Sequence, residues 1–261
     1  VSRRLRLDAE MVRRGLVTSR TDAARAIDDH RVLVNGTVAD KSARLVSAAD
    51  PIVITGAAPR FVSRGGEKLD HALETFGLDV SGCFVLDAGA STGGFSDCVL
   101  QRGARHVVAL DVGHGQLHPK IRDHPDVTVM ERYNVRSLTP DTLAEAPDVV
   151  VADLSFISLT KVVPVLAHVA APGARLVLLV KPQFEAGRQE VGRGHGVITD
   201  PAIHERVRLE VGACLVASGL VVEGWCDSPI TGAEGNREFL VHASVPVDRA
   251  DAASADEVPP A

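Results

Sequence analysis

Charged side chains follow directly on short apolar runs at five places in this chain. Cys83 to Leu86 ends at Asp87, His106 to Leu110 at Asp111, Val127 to Met130 at Glu131, Val149 to Ala152 at Asp153, and Leu176 to Val180 at Lys181. The first run also opens a glycine-rich stretch, Asp87-Ala88-Gly89-Ala90-Ser91-Thr92-Gly93-Gly94-Phe95. Its glycines let the backbone turn tightly and approach a ligand closely. The pattern is not the G-x-G-x-x-G dinucleotide fingerprint, and an acid ahead of the first glycine would repel a pyrophosphate. It suits a ligand bearing an ammonium and a sulfonium. Asp111, 24 positions further on, can accept from ribose hydroxyls at the end of the next strand.

Helical patterns, such as Phe95 to Arg102 and Leu159 to Val169, fall between the apolar runs. Alternating strands and helices predict an α/β fold around a mostly parallel sheet. In such a sheet the ligand crevice lies at the carboxyl ends of the strands. Asp87, Asp111, Asp153 and Lys181 are therefore expected at one rim. Pro201 to Ser218 reads as one more helix, with strands at Leu220 to Trp225 and Glu238 to His242.

The chain has 261 residues, a net charge of -6 and 45% hydrophobic residues. This excludes a disordered chain, a collagen-like repeat and a small disulfide scaffold. Cys83, Cys98, Cys214 and Cys226 have no C-x-x-C spacing and read as reduced thiols of a cytoplasmic protein. Val1 to Leu7 is Arg-rich without an apolar core, so no signal peptide is expected. Residues 162–180 are interrupted by Pro164, His168, Pro172, Gly173 and Arg175, so no membrane span is expected.

Charge is unevenly spread. Residues 1–60 carry 11 Lys/Arg and 7 Asp/Glu, while the remainder is strongly acidic. A basic module on an acidic body suggests a polyanionic partner. Leu7, Met11, Val12 and Leu16 predict a short amphipathic helix ended by Gly15. Ser19 with Asp22 predicts the cap of a second helix, and Asn35-Gly36 predicts a hairpin turn between Arg31–Val34 and Thr37–Val38. Pro51 to Ile54 reads as another strand. This arrangement resembles the S4 RNA-binding domain. In that reading Arg3, Arg4, Arg6, Arg13, Arg14, Arg20, Arg25 and Lys41 supply phosphate contacts.

Six motifs follow in order: Ser63-Arg64-Gly65-Gly66-Glu67-Lys68-Leu69, Leu86 to Phe95, Asp111 to Leu117, Ala152 to Ser158, Val180 to Glu185, and Gly235 to Phe239. Behind an S4 domain, this order resembles the TlyA family, ribosomal RNA 2'-O-methyltransferases with an FtsJ-like catalytic domain, some of which carry the name hemolysin. The resemblance covers essentially residues 1–243. It implies a Rossmann-like S-adenosylmethionine-dependent methyltransferase domain over 61–244, an α+β S4 domain and linker over 1–60, and a flexible tail over 245–261. It implies a catalytic tetrad of Lys68, Asp153, Lys181 and Glu238. S-adenosylmethionine would be held by Asp87, Gly89, Ser91, Thr92, Gly93, Asp111, Val112, Asn134, Asp153 and Phe156. Arg4, Arg6, Arg20, Lys41 and Arg64 would hold RNA, in ribosomal subunits, with no metal and no membrane involved. The target implied is a cytidine, in the large-subunit rRNA alone or in both subunits. The Ser2-Arg3-Arg4 start, with the residues beyond Phe239, fits the longer, dual-target form of that family. Lys181 can stabilise a developing alkoxide or act as base, Lys68 adds positive charge, and the two carboxylates orient the ammoniums and the hydroxyl. Which lysine is the base stays open.

Other patterns are weaker. His114, His118 and His124 lack a completing Cys or carboxylate pair for a metal. Gly187 to Gly196 reads as a loop over the active-site rim that orders on RNA. Ser155 and Ser158 are in no nucleophile elbow. A base N-methyltransferase would place prolines where Asp153-Leu154-Ser155-Phe156 stands, and no cationic amphipathic helix supports a membrane-lytic protein. An inactive RNA-binding assembly factor would not need the intact tetrad.

Overall fold

The computed structural model describes residues 4–56, 59–187, 190, 192, 196–232 and 234–248. The chain divides into two compact units, Val1–Pro59 and Arg60–Ala261.

In the N-terminal unit, β1 (Leu5–Arg6) runs into α1 (Leu7–Arg13), followed by α2 (Arg20–Asp28), β2 (Val32–Val34), β3 (Thr37–Val38), β4 (Leu45–Val46) and β5 (Ile52–Ile54). Gly15 sits at φ 68° beyond α1, and the Gly15 and Leu16 amides donate to the carbonyls of Val12 and Met11. The hydroxyl of Ser19 accepts from the Asp22 amide and caps α2, as its spacing predicted. Asn35 and Gly36 both take positive φ and close the β2–β3 hairpin, the requirement of a type I′ turn. The pairing of β1 with β4 joins two-residue strands too short to show a period in sequence. Leu7, Met11, Ile27, Val32 and Val34 form the core.

The second unit is built on a seven-stranded sheet. Its strands are β6 (Phe84–Ala88), β7 (His106–Asp111), β8 (Val127–Glu131), β9 (Val149–Ala152), β10 (Arg175–Val180), β11 (Val221–Asp227) and β12 (Phe239–Ser244). The spatial order is β11-β12-β10-β9-β6-β7-β8. Strands β6 to β10 pair in parallel, and β12 is antiparallel to both neighbours. The final hairpin folds back to place β12 inside β11. The helices are α3 (Gly65–Thr75), α4 (Gly94–Gln101), α5 (Pro119–Arg122), α6 (Val163–Val169), α7 (Pro182–Glu185) and α8 (Pro201–Ala217).

The sheet is covered on both faces, so its strands are apolar throughout. Phe84, Leu86 and Ala88 of β6 join one core cluster with residues of α6 and α8. Val85, on the opposite face, packs with Leu69 and Leu73 of α3 and Phe95 and Val99 of α4. The packed chain reaches past residue 244: Val245 is buried and its amide donates to the Ala174 carbonyl. The expected flexible tail therefore does not begin there, and residues 249–261 lie outside the described residues.

Helix α3, absent from the strand–helix pattern, owes its position to glycines. A Cβ on Gly66 would lie 2.3 Å from the Phe61 ring, and one on Gly94 would lie 2.1 Å from Ser63 Oγ and 2.9 Å from the Gly66 amide. Only glycine lets the N-terminal turns of α3 and α4 meet this closely.

Candidate functional site

Strand order reverses between β6 and β9, and there the two backbones approach closely. The Asp153 amide donates to the Ala88 carbonyl, while a Cβ on Gly89 would stand 2.5 Å from the Asp153 carbonyl oxygen. Gly89 also takes φ 88°. This is the switch point at which open α/β sheets bind ligands.

A cavity of about 490 Å³ opens beside it, lined by Gly89, Ser91, Asp111, Val112, Asn134, Asp153 and Phe156 among others. Its size suits a nucleoside-sized ligand. Both oxygens of Asp111 accept backbone amides, from Ser91 at 2.8 Å and Gly113 at 2.6 Å. The carboxylate thus fixes the two loops that form the cavity mouth, and its remaining lone pairs can still accept from a diol. Asn134 accepts from the Arg136 amide and caps the short 3-10 turn that follows. Gln116 and Tyr133, which sequence reasoning missed, complete the wall. They sit in loops without periodicity.

Three residues expected on this cofactor are elsewhere. Asp87 lies within β6, one residue short of its end, and pairs with Ala109, two positions below Asp111, so it stays beneath the rim against α4. It is fully buried, accepts from Ser96 Oγ at 2.6 Å, and keeps Oδ1 without a partner. Burial pushes its carboxyl up to about 7, opposed by the Ser96 hydrogen bond and reinforced by the charge of Asp153. Gly93 precedes α4 at φ 95° against Leu117 and Ile121. Thr92 faces a second cavity.

That second cavity, of about 540 Å³, is lined by Arg64, Lys68, Thr92, Lys181 and Glu238. It shares Ser91, Ser155 and Phe156 with the first. Lys68 on α3 donates to Glu238 at 2.5 Å, both side chains being buried. Gly232 leaves room for this carboxylate, since a Cβ there would stand 2.6 Å from Glu238 Oε1. Lys181, at the end of β10, lies 2.5 Å from Asp153 Oδ1 and donates to Ser155 Oγ at 3.0 Å. The Asp153 contact is an ion pair made by a buried oxygen. Phe156 holds φ 63° and is 92% exposed, its ring 5.3 Å from that of Phe184. Such strain in a non-glycine residue persists where the surrounding structure enforces it.

Two further residues hold this rim. Both oxygens of Glu185 accept from the next loop, from Ser158 Oγ at 2.5 Å and the Leu159 amide at 2.8 Å. Burial pushes Glu185 above the usual carboxylate range. Asn236, buried, accepts from the Ile198 amide and donates to the Gly196 carbonyl. Their motifs were visible, but nothing in sequence named the partners. The loop expected over Gly187 to Gly196 includes residues 188–189, 191 and 193–195, which lie outside the described residues.

The basic residues of the N-terminal unit divide by their environment. Arg4 and Lys41 are exposed, and Arg6 and Arg20 share Asp8. Arg14, expected on phosphate, is instead a strut: it donates to Glu10 and to the Asp50 and Ser47 carbonyls, with only 20% of its side chain exposed. Arg13 also pairs with Glu10, and Arg25 lies 3.9 Å from Asp29. Arg3 lies outside the described residues. His118 and His124 accept the amides of Lys120 and Asp126 as local caps. Among the described residues no three potential metal-ligating side chains form a metal-holding group, and no helix is long and apolar enough to cross a membrane.

Comparison with known proteins matches residues 61–245 to the FtsJ-like methyltransferase family and residues 5–52 to the S4 domain. The chain is 47% identical over 251 residues to the 16S/23S rRNA (cytidine-2'-O)-methyltransferase TlyA of Mycobacterium tuberculosis, covering 96% of this chain and 93% of that protein. It is 38% identical to Hemolysin A of Brachyspira hyodysenteriae, covering 91% and 99%. A solved chain from Streptococcus thermophilus superposes with a TM-score of 0.75 at 40% identity, covering 94% and 90%.

Proposed function

Because the chain belongs to the TlyA family, an S4 domain followed by an FtsJ-like methyltransferase domain, we infer that it methylates the ribose 2'-hydroxyl of a cytidine in 23S ribosomal RNA, and in 16S as in the Mycobacterium tuberculosis relative. S-adenosylmethionine is the methyl donor in this reading, and ribosomal subunits, in the cytoplasm, are the partner. The observation that carries it is the pair of cavities joined at Ser91, Ser155 and Phe156, one sized for a nucleoside cofactor and one bearing two lysine–carboxylate pairs.

The residues fit the cofactor. Asp111 offers lone pairs to a ribose diol, Asn134 and Val112 stand beside it, and Gly89 lines the same cavity. When bound, S-adenosylmethionine supplies an electrophilic methyl group on a sulfonium.

The remaining chemistry concerns the incoming hydroxyl. Methyl transfer is an in-line displacement, so positioning and charge stabilisation lower the barrier. Lys181 has three N–H donors; Asp153 and Ser155 orient the ammonium, leaving a donor for the 2'-oxygen. A positive charge there stabilises developing alkoxide. Lys68, locked on Glu238, adds a fixed cation to the same cavity. Arg64, at the start of α3, can take a phosphate flanking the target.

Single-turnover methylation of ribosomal subunits tests this reading. Lys181→Ala is expected to slow transfer by about 10²–10³-fold while calorimetry shows unchanged S-adenosylmethionine affinity. A rate within tenfold of the parent removes Lys181 from the reaction.

A further inference from the structure

The most basic part of the chain buries two carboxylates, and they do different things. Glu10 is 1% exposed and takes Arg13 and Arg14. Arg14 in turn ties α1 to the carbonyls of Asp50 and Ser47. That carboxylate serves the fold. Asp8 is 4% exposed. Its Oδ1 accepts from Arg6 Nε at 3.1 Å and the Ala9 amide at 2.8 Å, and its Oδ2 accepts from Arg6 Nη2 at 3.0 Å and Arg20 Nη2 at 2.7 Å. Both arginines remain open to solvent, with 48% and 60% of their side chains exposed. Among the described residues neither guanidinium donates to another acceptor. Arg6 ends β1 and Arg20 opens α2, so one buried carboxylate fixes two guanidiniums from separate elements on a single anchor.

We propose that Asp8 is a positioning residue for RNA, holding the Arg6 and Arg20 guanidiniums so that their outward N–H donors meet phosphate already ordered. This rests on the reading that the N-terminal unit binds ribosomal RNA. A guanidinium has five donors in a fixed fork, and Asp8 occupies only the inward ones. An arginine left to itself must lose rotamer freedom on binding. Asp8 makes that loss part of folding. It also holds two like charges together in the free protein, the arrangement adjacent phosphates require.

Charge counting gives the opposite expectation, which makes the idea testable. Asp8→Asn removes a negative charge from an RNA-binding surface. If Asp8 only offset the arginines, the variant would bind more tightly and its log K against log salt would steepen by about 0.9, one phosphate contact. As a positioning residue, its loss weakens binding by about 3- to 10-fold. The measurement is a filter-binding salt titration of the full chain on large ribosomal subunits. Parental resistance of the N-terminal unit to limited proteolysis, with a parental circular dichroism spectrum, distinguishes this from a folding defect of that unit. Tighter or unchanged RNA binding by Asp8→Asn overturns the proposal. If that variant melts below the assay temperature, Asp8→Glu keeps the charge and displaces the carboxylate by one methylene; it too is expected to bind more weakly, and parental affinity overturns the proposal. A double Arg6→Gln, Arg20→Gln variant separates the two levels. Parental affinity in that variant sinks the RNA reading of this surface itself. Weakened affinity, with no further loss on adding Asp8→Asn, shows that Asp8 acts through these two arginines, whereas an additional loss of the same size overturns that route.

Discussion

Asp87 and Asp111 stand near the ends of adjacent parallel strands and do unlike work. Asp111 follows the pleat into the cofactor cavity and fixes two loop amides. Asp87 pairs with Ala109, two positions below Asp111, and is buried against Ser96, with its carboxyl pushed up to about 7. The folded protein therefore keeps a proton that the unfolded chain releases near pH 4. Stability is fully present below pH 4 and falls as pH rises through about 7, where the buried charge must form. Asp87→Asn removes this titration while keeping an acceptor for Ser96. Thermal melts from pH 4 to 8.5 should show the variant level with the parent at the acid end and more stable at the alkaline end. A shift of about three pKa units corresponds to an upper limit of roughly 4 kcal/mol. Parallel melting curves for the two proteins would exclude it. S-adenosylmethionine affinity of the variant is expected to stay near the parent's, since Asp87 lines neither cavity.

At the scale of elements, the catalytic rim is held by short segments gripping one another. Lys181 and Glu185 lie at the two ends of the single turn α7. The lysine contacts Asp153 and Ser155, and the glutamate contacts Ser158 and Leu159. The loop between β9 and α6 is thus held at both ends by one helical turn. Glu185→Ala is expected to leave the sheet intact and lower kcat at saturating substrates by about 10- to 100-fold, the effect of a small misplacement at the reacting groups. Glu185→Gln, which can still bond the Leu159 amide, should recover part of it. A double variant with Ser158→Ala should be no slower than Glu185→Ala alone, because the two act through one contact. Additive losses would show that Glu185 works by another route.

For the whole molecule, each unit has its own core. Every residue of the N-terminal cluster lies before Thr55, and the other three clusters begin at Phe61. A chain beginning at Arg60 should therefore fold, bind S-adenosylmethionine with parental affinity, and lose most affinity for ribosomal subunits along with most of the salt dependence. Equal affinity and an equal salt slope for the shortened chain would assign RNA recognition to the methyltransferase domain alone.

Local chemistry was legible in sequence wherever a residue's role depended on near neighbours. Ser19 caps α2, Gly15 ends α1, Asn35-Gly36 turns a hairpin, and apolar runs became the parallel strands because a sheet covered on both faces needs no alternation. Asp111, Asp153 and Lys181 were placed at the rim by strand ends, and Lys68 and Glu238 by family motifs. Tertiary structure decided the rest. Lys68 and Glu238 are 170 positions apart and meet because β12 inserts antiparallel beside β10, which no local period encodes. Asp87 left the site because it pairs with Ala109, two positions short of the level of Asp111, where α4 covers it. Arg14 and Arg20 look alike in sequence; one became a strut and the other stayed exposed, because the carbonyls and carboxylates that claim a guanidinium arrive from distant parts of the chain.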